Sequence, residues 1–279
     1  MQGEYMMLSQ NNNNPKVTII SVCYNSRSDL EKTLQSVLEQ TYDNFEYVVV
    51  DGGSSDGTCD LLVEYSDKFK NSDIHFIFVS EPDKGTYDAM NKGALIAKGE
   101  WINYMNAGDT FYSPSTLETF FSHEISPKSG VVYGDTFQIF DFGSGIAKKE
   151  DYEKDNKIMP FCHQSSFVKK ELMERYKFNL SYKIIADHDF FYRLNKDKIL
   201  FQYINMVVAR YNGQYGLSAT HPLTLRLEKL KVYNVHKKWF YLFALCWCYL
   251  RYGWVQPFKN YMPKFLTNFW MKHKRKYIK

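Results

Sequence analysis

From Val17 to Met105 the chain alternates short apolar runs with longer stretches in which apolar residues recur every three or four positions. The runs VTIISVC (17–23), EYVVVD (46–51), IHFIFV (74–79) and EWINYM (100–105) are rich in β-branched and aromatic residues, as expected of strands buried on both faces. Between the first two, Leu30, Leu34, Val37 and Leu38 form one helical stripe, and Ser28 with Glu31 has the S-x-x-E spacing of a capping box. Leu61, Leu62, Tyr65 and Phe69 mark a second helix. A third is expected from Thr86 to Lys98, ended by Gly99, and Ser113-Pro114 has the cap and first-turn proline that open a fourth. Strand, helix, strand, repeated, predicts an α/β fold: a mostly parallel sheet with helices on both faces. Such sheets bind ligands beyond the carboxyl ends of their strands. Chemistry is therefore expected in the loops after Cys23, Asp51, Val79 and Met105, where the chain also turns polar and glycine-rich.

Each loop offers a candidate and an ordinary alternative. After the first strand, Tyr24-Asn25 presents a ring that can stack on a nucleobase, or that simply packs at the strand end. DGGSSDGT follows the second strand. Asp51 can accept a base imide or a ribose hydroxyl, Gly52 and Gly53 allow close backbone approach, and Asp56 suits a helix cap. Read as a plain turn, the loop still leaves Asp51 at the end of a buried strand, in need of a partner. After the third strand, Asp83, Lys84 and Gly85 lead into a helix whose N–H groups suit a diphosphate. After the fourth, MNAGDT holds one carboxylate, Asp109, and one amide, Asn106. Mg2+ and Mn2+ take hard oxygen ligands and need only one or two from protein when a diphosphate supplies others. An Asx turn explains the same cluster about as well.

Charge changes the picture of the far end. From Thr224 to Lys279 there are 13 basic residues against one acid, Glu228, leaving 22 basic and 30 acidic residues elsewhere. The tail carries four of the five tryptophans, and WFYLFALCWCYL (239–250) is apolar and aromatic between basic residues. This stretch is short of the roughly 20 residues that span a bilayer. It suits an element lying in the interface of an anionic membrane, or a buried helix with an exposed basic end. No nucleic-acid motif accompanies the charge, so nucleic acid is not an expected partner. Five scattered cysteines give neither a disulfide framework nor zinc spacing, which points to a reducing cytoplasm. Residues 1–15, with four consecutive asparagines, lack signal-peptide character and are expected to form a flexible leader.

The ordered segment VTIISVCYNSRSDLEKTLQSVLEQTYDNFEYVVVDGGSSDGT, with the spacing onward to NAGD, closely resembles the family 2 glycosyltransferases of GT-A fold, over roughly residues 16 to 210. Within that family the likeness is to bacterial enzymes building capsule, O-antigen or colanic-acid-type polysaccharides. The resemblance implies a GT-A domain at 16–220, with a donor half at about 16–112 and an acceptor half at about 113–220, then a helical, aromatic-basic extension at 221–279. It implies inverting transfer of a sugar from a nucleotide-diphosphate donor, UDP most commonly, to a glycan or lipid-linked saccharide. The expected location is the inner face of the cell membrane. Tyr24, Asn25, Asp51, Gly53, Asp83, Lys84, Asn91 and Asn106 would form the donor side, with Asp109 holding Mn2+ or Mg2+. Asn106 and Gly108 replace acids of the family's D-x-D-D-like run, and Met90 stands where many members have Arg, leaving Lys84 or Lys92 to supply positive charge.

In the second half, Met159 to Tyr176 reads as a turn, a short strand and a helix, and its His163-Gln164 resembles an acceptor-side pair of the polysaccharide subgroup. YKIIADHDFFYRL (182–194) is similar to the segment carrying the family's general base: Asp187 aligns with it, Asp189 is the alternative, and Ala186 replaces the usual Glu. Residues 210–221 resemble a mobile loop that closes over donor, with His221 a late metal or phosphate contact. A nucleotidyltransferase or a dehydrogenase is disfavoured because CYNSRSD, after the first strand, has no glycine. A non-catalytic, membrane-associated family member stays open because the acidic run is reduced.

Overall fold

The structure, a computed structural model, describes residues 6–7, 15–149, 161–213, 221–232, 246–247 and 250. Its centre is a parallel unit in which β2 (Val17–Cys23) lies between β3 (Phe45–Asp51) and β5 (Trp101–Tyr104), and β4 (His75–Ser80) adds parallel to β3. Helices α1 (Arg27–Leu38), α2 (Thr58–Asn71) and α3 (Thr86–Ile96) make the crossovers. β2 and β3 are buried along their whole length, and successive residues serve opposite faces. Val17, Ile19, Tyr47 and Val49 pack with Leu30, Leu34, Leu61 and Phe69 of α1 and α2. Ile20, Val22, Val48 and Val50 pack with Met90 and Ala94 of α3 and, from beyond it, Phe178 and Phe190. Each such side chain, fully withdrawn from water, contributes roughly 1.5–3 kcal/mol. The strand ends are thereby held rigidly beneath the loops they carry.

The sheet continues through β9 (Ser166–Lys169), antiparallel to β5, then β7 (Ser129–Phe140), β10 (Leu200–Asn212) and β6 (Thr110–Phe111). β8 (Gly143–Ala147) pairs with β7 off this path. The architecture is thus mixed α/β, mostly parallel on the donor side. Helix α4 (Thr116–Ser122) buries Leu117 and Phe120 on one face. Helices α5 (Lys170–Tyr176) and α6 (Ala186–Lys196) cover the other, and α7 (Pro222–Val232) lies against the segment that enters α6.

Several expected details are corrected. Ser28 lies inside α1 rather than capping it; the first N–H of that helix, on Arg27, is instead accepted by Asp56 Oδ2 at 2.9 Å. Asp56 also takes the Thr58 N–H through Oδ1 at 3.1 Å, so one carboxylate serves the starts of two helices. Helix α3 ends at Ile96, and Gly99 is no cap: its N–H donates to Thr18 Oγ1, and its backbone lies so close to Val17 and Thr18 that a Cβ would clash. α4 begins at Thr116, because Ser113 and Pro114 form the turn before it, closed by Thr116 N–H to the Ser113 carbonyl at 3.1 Å. Met6–Met7 of the expected leader pair with Phe78 and Ile77 as β1, on the edge of β4. The long strands β7 and β10 were not anticipated. The loop at 214–220 and most of the basic tail lie outside the described residues, while Trp247 and Leu250 are exposed.

Candidate active site

The loops after β2, β3 and β4 meet above the sheet. Asp51, at the tip of β3, has no exposed surface. Its Oδ2 accepts the N–H groups of Gly53 at 3.2 Å and Ser54 at 2.9 Å and the Ser80 hydroxyl at 2.6 Å; its Oδ1 accepts the Ser54 hydroxyl. The Cys23 thiol lies 3.5 Å from Oδ1, and burial, with Asp51 next to it, pushes that thiol up, away from ionisation. The partners of Asp51 in this structure are therefore internal, and it shapes the loop from beneath. Asn25, in the left-handed region at φ 47°, accepts the Ser55 N–H through Oδ1 at 2.9 Å and donates its own N–H to Ser54 Oγ at 2.7 Å. It joins the first loop to the second.

Above that buried layer stand Tyr24 and Asp83. Tyr24 is 64% exposed. A Cβ at Gly52 would lie 2.6 Å from Asp83 Oδ2 and 3.3 Å from Tyr24 Cδ2, so the missing side chain is what admits both groups over this backbone. Asp83 is held by the Gly85 N–H, which donates to Oδ1 at 2.7 Å. An aromatic ring, a bare glycine backbone and a carboxylate are thus gathered at one place, with exposed Gly53 beside Pro82. Lys84 is exposed and has no ion pair among the described residues. Lys92 is engaged, with Nζ 2.7 Å from Glu81 Oε1 and 3.8 Å from Asp88 Oδ2. The Asn91 side chain donates to the Phe178 carbonyl and accepts the Phe178 N–H, both at 2.9 Å, so it fastens α3 to the segment before α6.

The turn after β5 is closed by the Asp109 N–H donating to the Asn106 carbonyl at 2.9 Å. Thr33 of α1, unmarked by any sequence pattern, accepts the Gly108 N–H at 3.0 Å and donates to the Asp109 carbonyl at 2.8 Å. Asp109 itself is buried, and its Oδ2 accepts from Gln164 Nε2 at 2.9 Å. Burial raises its pKa to about 6 against the lowering from the Gln164 hydrogen bond and the His163 charge. The family resemblance implies a divalent ion here. Asn106 Oδ1 is buried without a hydrogen-bond partner, and with the Asp109 carboxylate it supplies hard oxygen of the kind such an ion takes. No group of three or more His, Cys, Asp or Glu side chains able to hold a metal occurs among the described residues.

His163 and Gln164 form a short 3-10 turn, pinned by Asn103 of β5, whose amide donates to the carbonyls of Gln164 and Ser166 at 2.9 Å each. Ser165 is buried and bonds to Thr136 Oγ1 and the Asp135 carbonyl, which explains the small residues after the pair. His163 spans two expected functions: Nε2 lies 3.5 Å from Asn106 Nδ2, and Nδ1 lies 3.3 Å from Asp187 Oδ2. Asp187 Oδ1 accepts from the Tyr87 hydroxyl at 3.0 Å and the His188 N–H at 2.9 Å. Burial raises the carboxyl, but the His163 hydrogen bond and the charges of His188 and His163 outweigh it and bring it to about 2. Asp187 is an anion through the neutral range. Asp189 faces elsewhere: its Oδ2 pairs with Arg193 Nε at 2.8 Å, and that guanidinium donates to the carbonyls of Tyr176 and Lys177. Asp189 ties α6 to α5, whereas Asp187 is the acid that contacts His163. Tyr87 was missed because its spacing in α3 is that of any core aromatic. His221, just before α7, accepts the Leu225 N–H through its carbonyl.

A mixed sheet whose parallel strands carry these loops at their ends, with helices on both faces, has the arrangement of the GT-A glycosyltransferase fold. Solved structures agree. The mannosyltransferase PcManGT from Pyrobaculum calidifontis, in complex with GDP-Man and Mn2+, matches with TM-score 0.61 and 20% identity over 88% of this chain and 73% of that one. TarS of S. aureus in complex with UDP matches with TM-score 0.57 and 15% identity over 85% and 71%. The model of glycosyl transferase family 2 matches residues 18–200, and the chain belongs to that family. It is a glycosyltransferase. A PGL/p-HBAD biosynthesis glycosyltransferase of Mycobacterium bovis (strain BCG / Pasteur 1173P2) is 34% identical over 213 residues, covering 74% of this chain and 80% of the relative. Among the described residues no helix is long and apolar enough to cross a membrane.

Proposed function

We propose that the protein transfers a sugar, with inversion, from a nucleotide-diphosphate donor to a hydroxyl of a growing glycan or lipid-linked saccharide. The observation that carries this reading is the convergence of Asp109 and Asp187 on the His163–Gln164 turn at the carboxyl ends of the parallel strands. Tyr24 stacks on the base, Asp83 accepts from the base or ribose, and the Gly52–Gly53 backbone lets the nucleotide sit close. UDP is the favoured carrier, since a carboxylate acceptor suits the uracil imide. Lys84 supplies positive charge near the diphosphate.

Asp109 and Asn106 would hold a divalent cation, Mn2+ or Mg2+, through their side-chain oxygens. When bound, such an ion neutralises charge on a departing diphosphate. Asp187 accepts the acceptor hydroxyl's proton as that oxygen attacks the anomeric carbon from the face opposite the leaving group. General-base help of this kind is worth about 10²–10⁴-fold. Tyr87 and His163 fix the carboxylate through Oδ1 and Oδ2 respectively. The basic aromatic tail places the enzyme on the anionic inner face of the cell membrane, where a lipid-linked acceptor resides. A thermal-shift screen of UDP-, GDP- and dTDP-sugars with and without Mn2+ tests the donor assignment: stabilisation by a UDP-sugar that grows with Mn2+ is expected, and no response to any nucleotide sugar would overturn it. Anomeric coupling constants of the product by NMR test inversion.

A further inference from the structure

We infer that Glu228, the single acid in the basic tail, is a positioning residue for the segment that carries Asp187. In a stretch with 13 basic residues a lone acid is expected to be solvated and paired. Glu228 is instead buried at 6% exposure. From α7 its carboxylate reaches back to three consecutive backbone N–H groups: Lys183 donates to Oε1 at 2.8 Å, and Ile184 and Ile185 donate to Oε2 at 3.0 and 3.2 Å. Successive N–H groups of this kind form a nest that favours an anion, and a buried carboxylate needs such donors.

The peptide so held is the entrance to α6, whose N-cap residue, Ile185, makes no side-chain cap hydrogen bond. Asp187 follows two residues later. The other side of the same peptide is gripped by Tyr87, whose hydroxyl donates to the Ile184 carbonyl at 2.7 Å and lies 3.0 Å from Asp187 Oδ1. Ile184 is thus clamped through both its N–H and its carbonyl. Apolar packing of Val232 against Ile184 and Ile185 seats α7 in place. Loss of Glu228 leaves three amides without their acceptor and frees the backbone that sets where Asp187 stands. The first part of the expected extension is therefore a strut of the catalytic domain, and a boundary at residue 221 divides what works together.

This inference rests on the reading of Asp187 as general base, and the test separates the two. Glu228→Ala and Glu228→Gln are compared with the full-length wild type by backbone hydrogen exchange and by turnover of UDP-sugar with water as acceptor. In Glu228→Ala, exchange at Lys183, Ile184 and Ile185 should rise by at least about tenfold, spreading into the first turn of α6. Turnover should fall by about 10–100-fold, as misplacement of a reacting group does, while donor KM stays within about twofold. Glu228→Gln, which keeps one acceptor oxygen, should recover part of both effects. Unchanged exchange would overturn the inference, as would faster exchange with unaltered turnover, or kcat and KM falling together in step with lost stability. If wild type turns over no nucleotide sugar, the transferase reading fails, and the exchange data alone then decide whether Glu228 holds the segment.

Discussion

Asp51 and Asp187 are both buried carboxylates, yet the groups around them differ. Two backbone N–H groups, two hydroxyls and the thiols of Cys23 and Cys59 converge on Asp51, all of them uncharged donors. Around Asp187 stand a phenol, an imidazole and one N–H, and Gln164, next to His163 in the chain, bonds to Asp109. The first set builds a loop, and the second holds Asp187 as an anion in a fixed place. Asp51→Asn turns an amide N–H₂ toward backbone donors. It should cost about 1–3 kcal/mol, several degrees of Tm at roughly 2–4 °C per kcal/mol, with little change in donor KM for the folded enzyme. Thermal unfolding and donor titration check this together. Asp83→Asn should do the reverse, weakening UDP-sugar binding by about tenfold for one lost hydrogen bond to a charged group while leaving Tm within about 1 °C. The need of Asp51 for a partner was legible in the sequence. That Ser54 and Ser80 supply it was not, because only the register of β3 on β4 brings Ser80 alongside.

At the scale of elements, helix positions were legible from apolar stripes, but their ends were not. Ends depend on partners distant in sequence: Asp56 caps α1 from another loop, and the α3 exit is set by β2. The exit also involves Glu46, buried at 1%, which accepts from Thr18 Oγ1 at 2.6 Å and the Lys98 N–H at 2.5 Å and lies 3.2 Å from His75 Nδ1. Burial raises the Glu46 carboxyl, but the bonds from His75, Thr18 and Lys98 outweigh it and hold it below its ordinary value of 4.5. A depressed folded-state pKa contributes stability that is present above the unfolded value and lost as pH falls through the folded one. Urea unfolding from pH 7 to 3 should therefore show wild type losing stability below about pH 4.5, and Glu46→Gln should flatten that part of the curve while lowering stability at pH 7. Thr33→Val tests the turn that presents Asp109. It leaves the Gly108 N–H without its hydroxyl acceptor, and should weaken Mn2+-dependent donor binding by about tenfold if one hydrogen bond's worth of order is lost.

Across the whole molecule, the donor half was readable because parallel strands covered on both faces appear as unbroken apolar runs. The acceptor half was less so. β10 mixes exposed, half-buried and buried positions without alternation, and β7 is buried almost throughout despite Asp135, Thr136 and Gln138. Gln164, expected on the acceptor side, reaches Asp109, so the segment at 161–169 and the turn after β5 share one hydrogen-bonded seam. The tail's charge has two functions to account for, since its only acid is internal while its cations outnumber it thirteenfold. Co-sedimentation with vesicles containing anionic lipid should be strong at low salt and fall as ionic strength rises, at about 1 kcal/mol per basic residue near the surface.

The central claim is that Asp187 is the base of a nucleotide-sugar site built on the strand ends. Its most direct test is Asp187→Asn, measured for UDP-sugar affinity and for the slow hydrolysis in which water stands in for the acceptor hydroxyl. Donor affinity within about twofold of wild type, with turnover down by about 10²–10⁴-fold, is the predicted result. Turnover within a few-fold of wild type would contradict it.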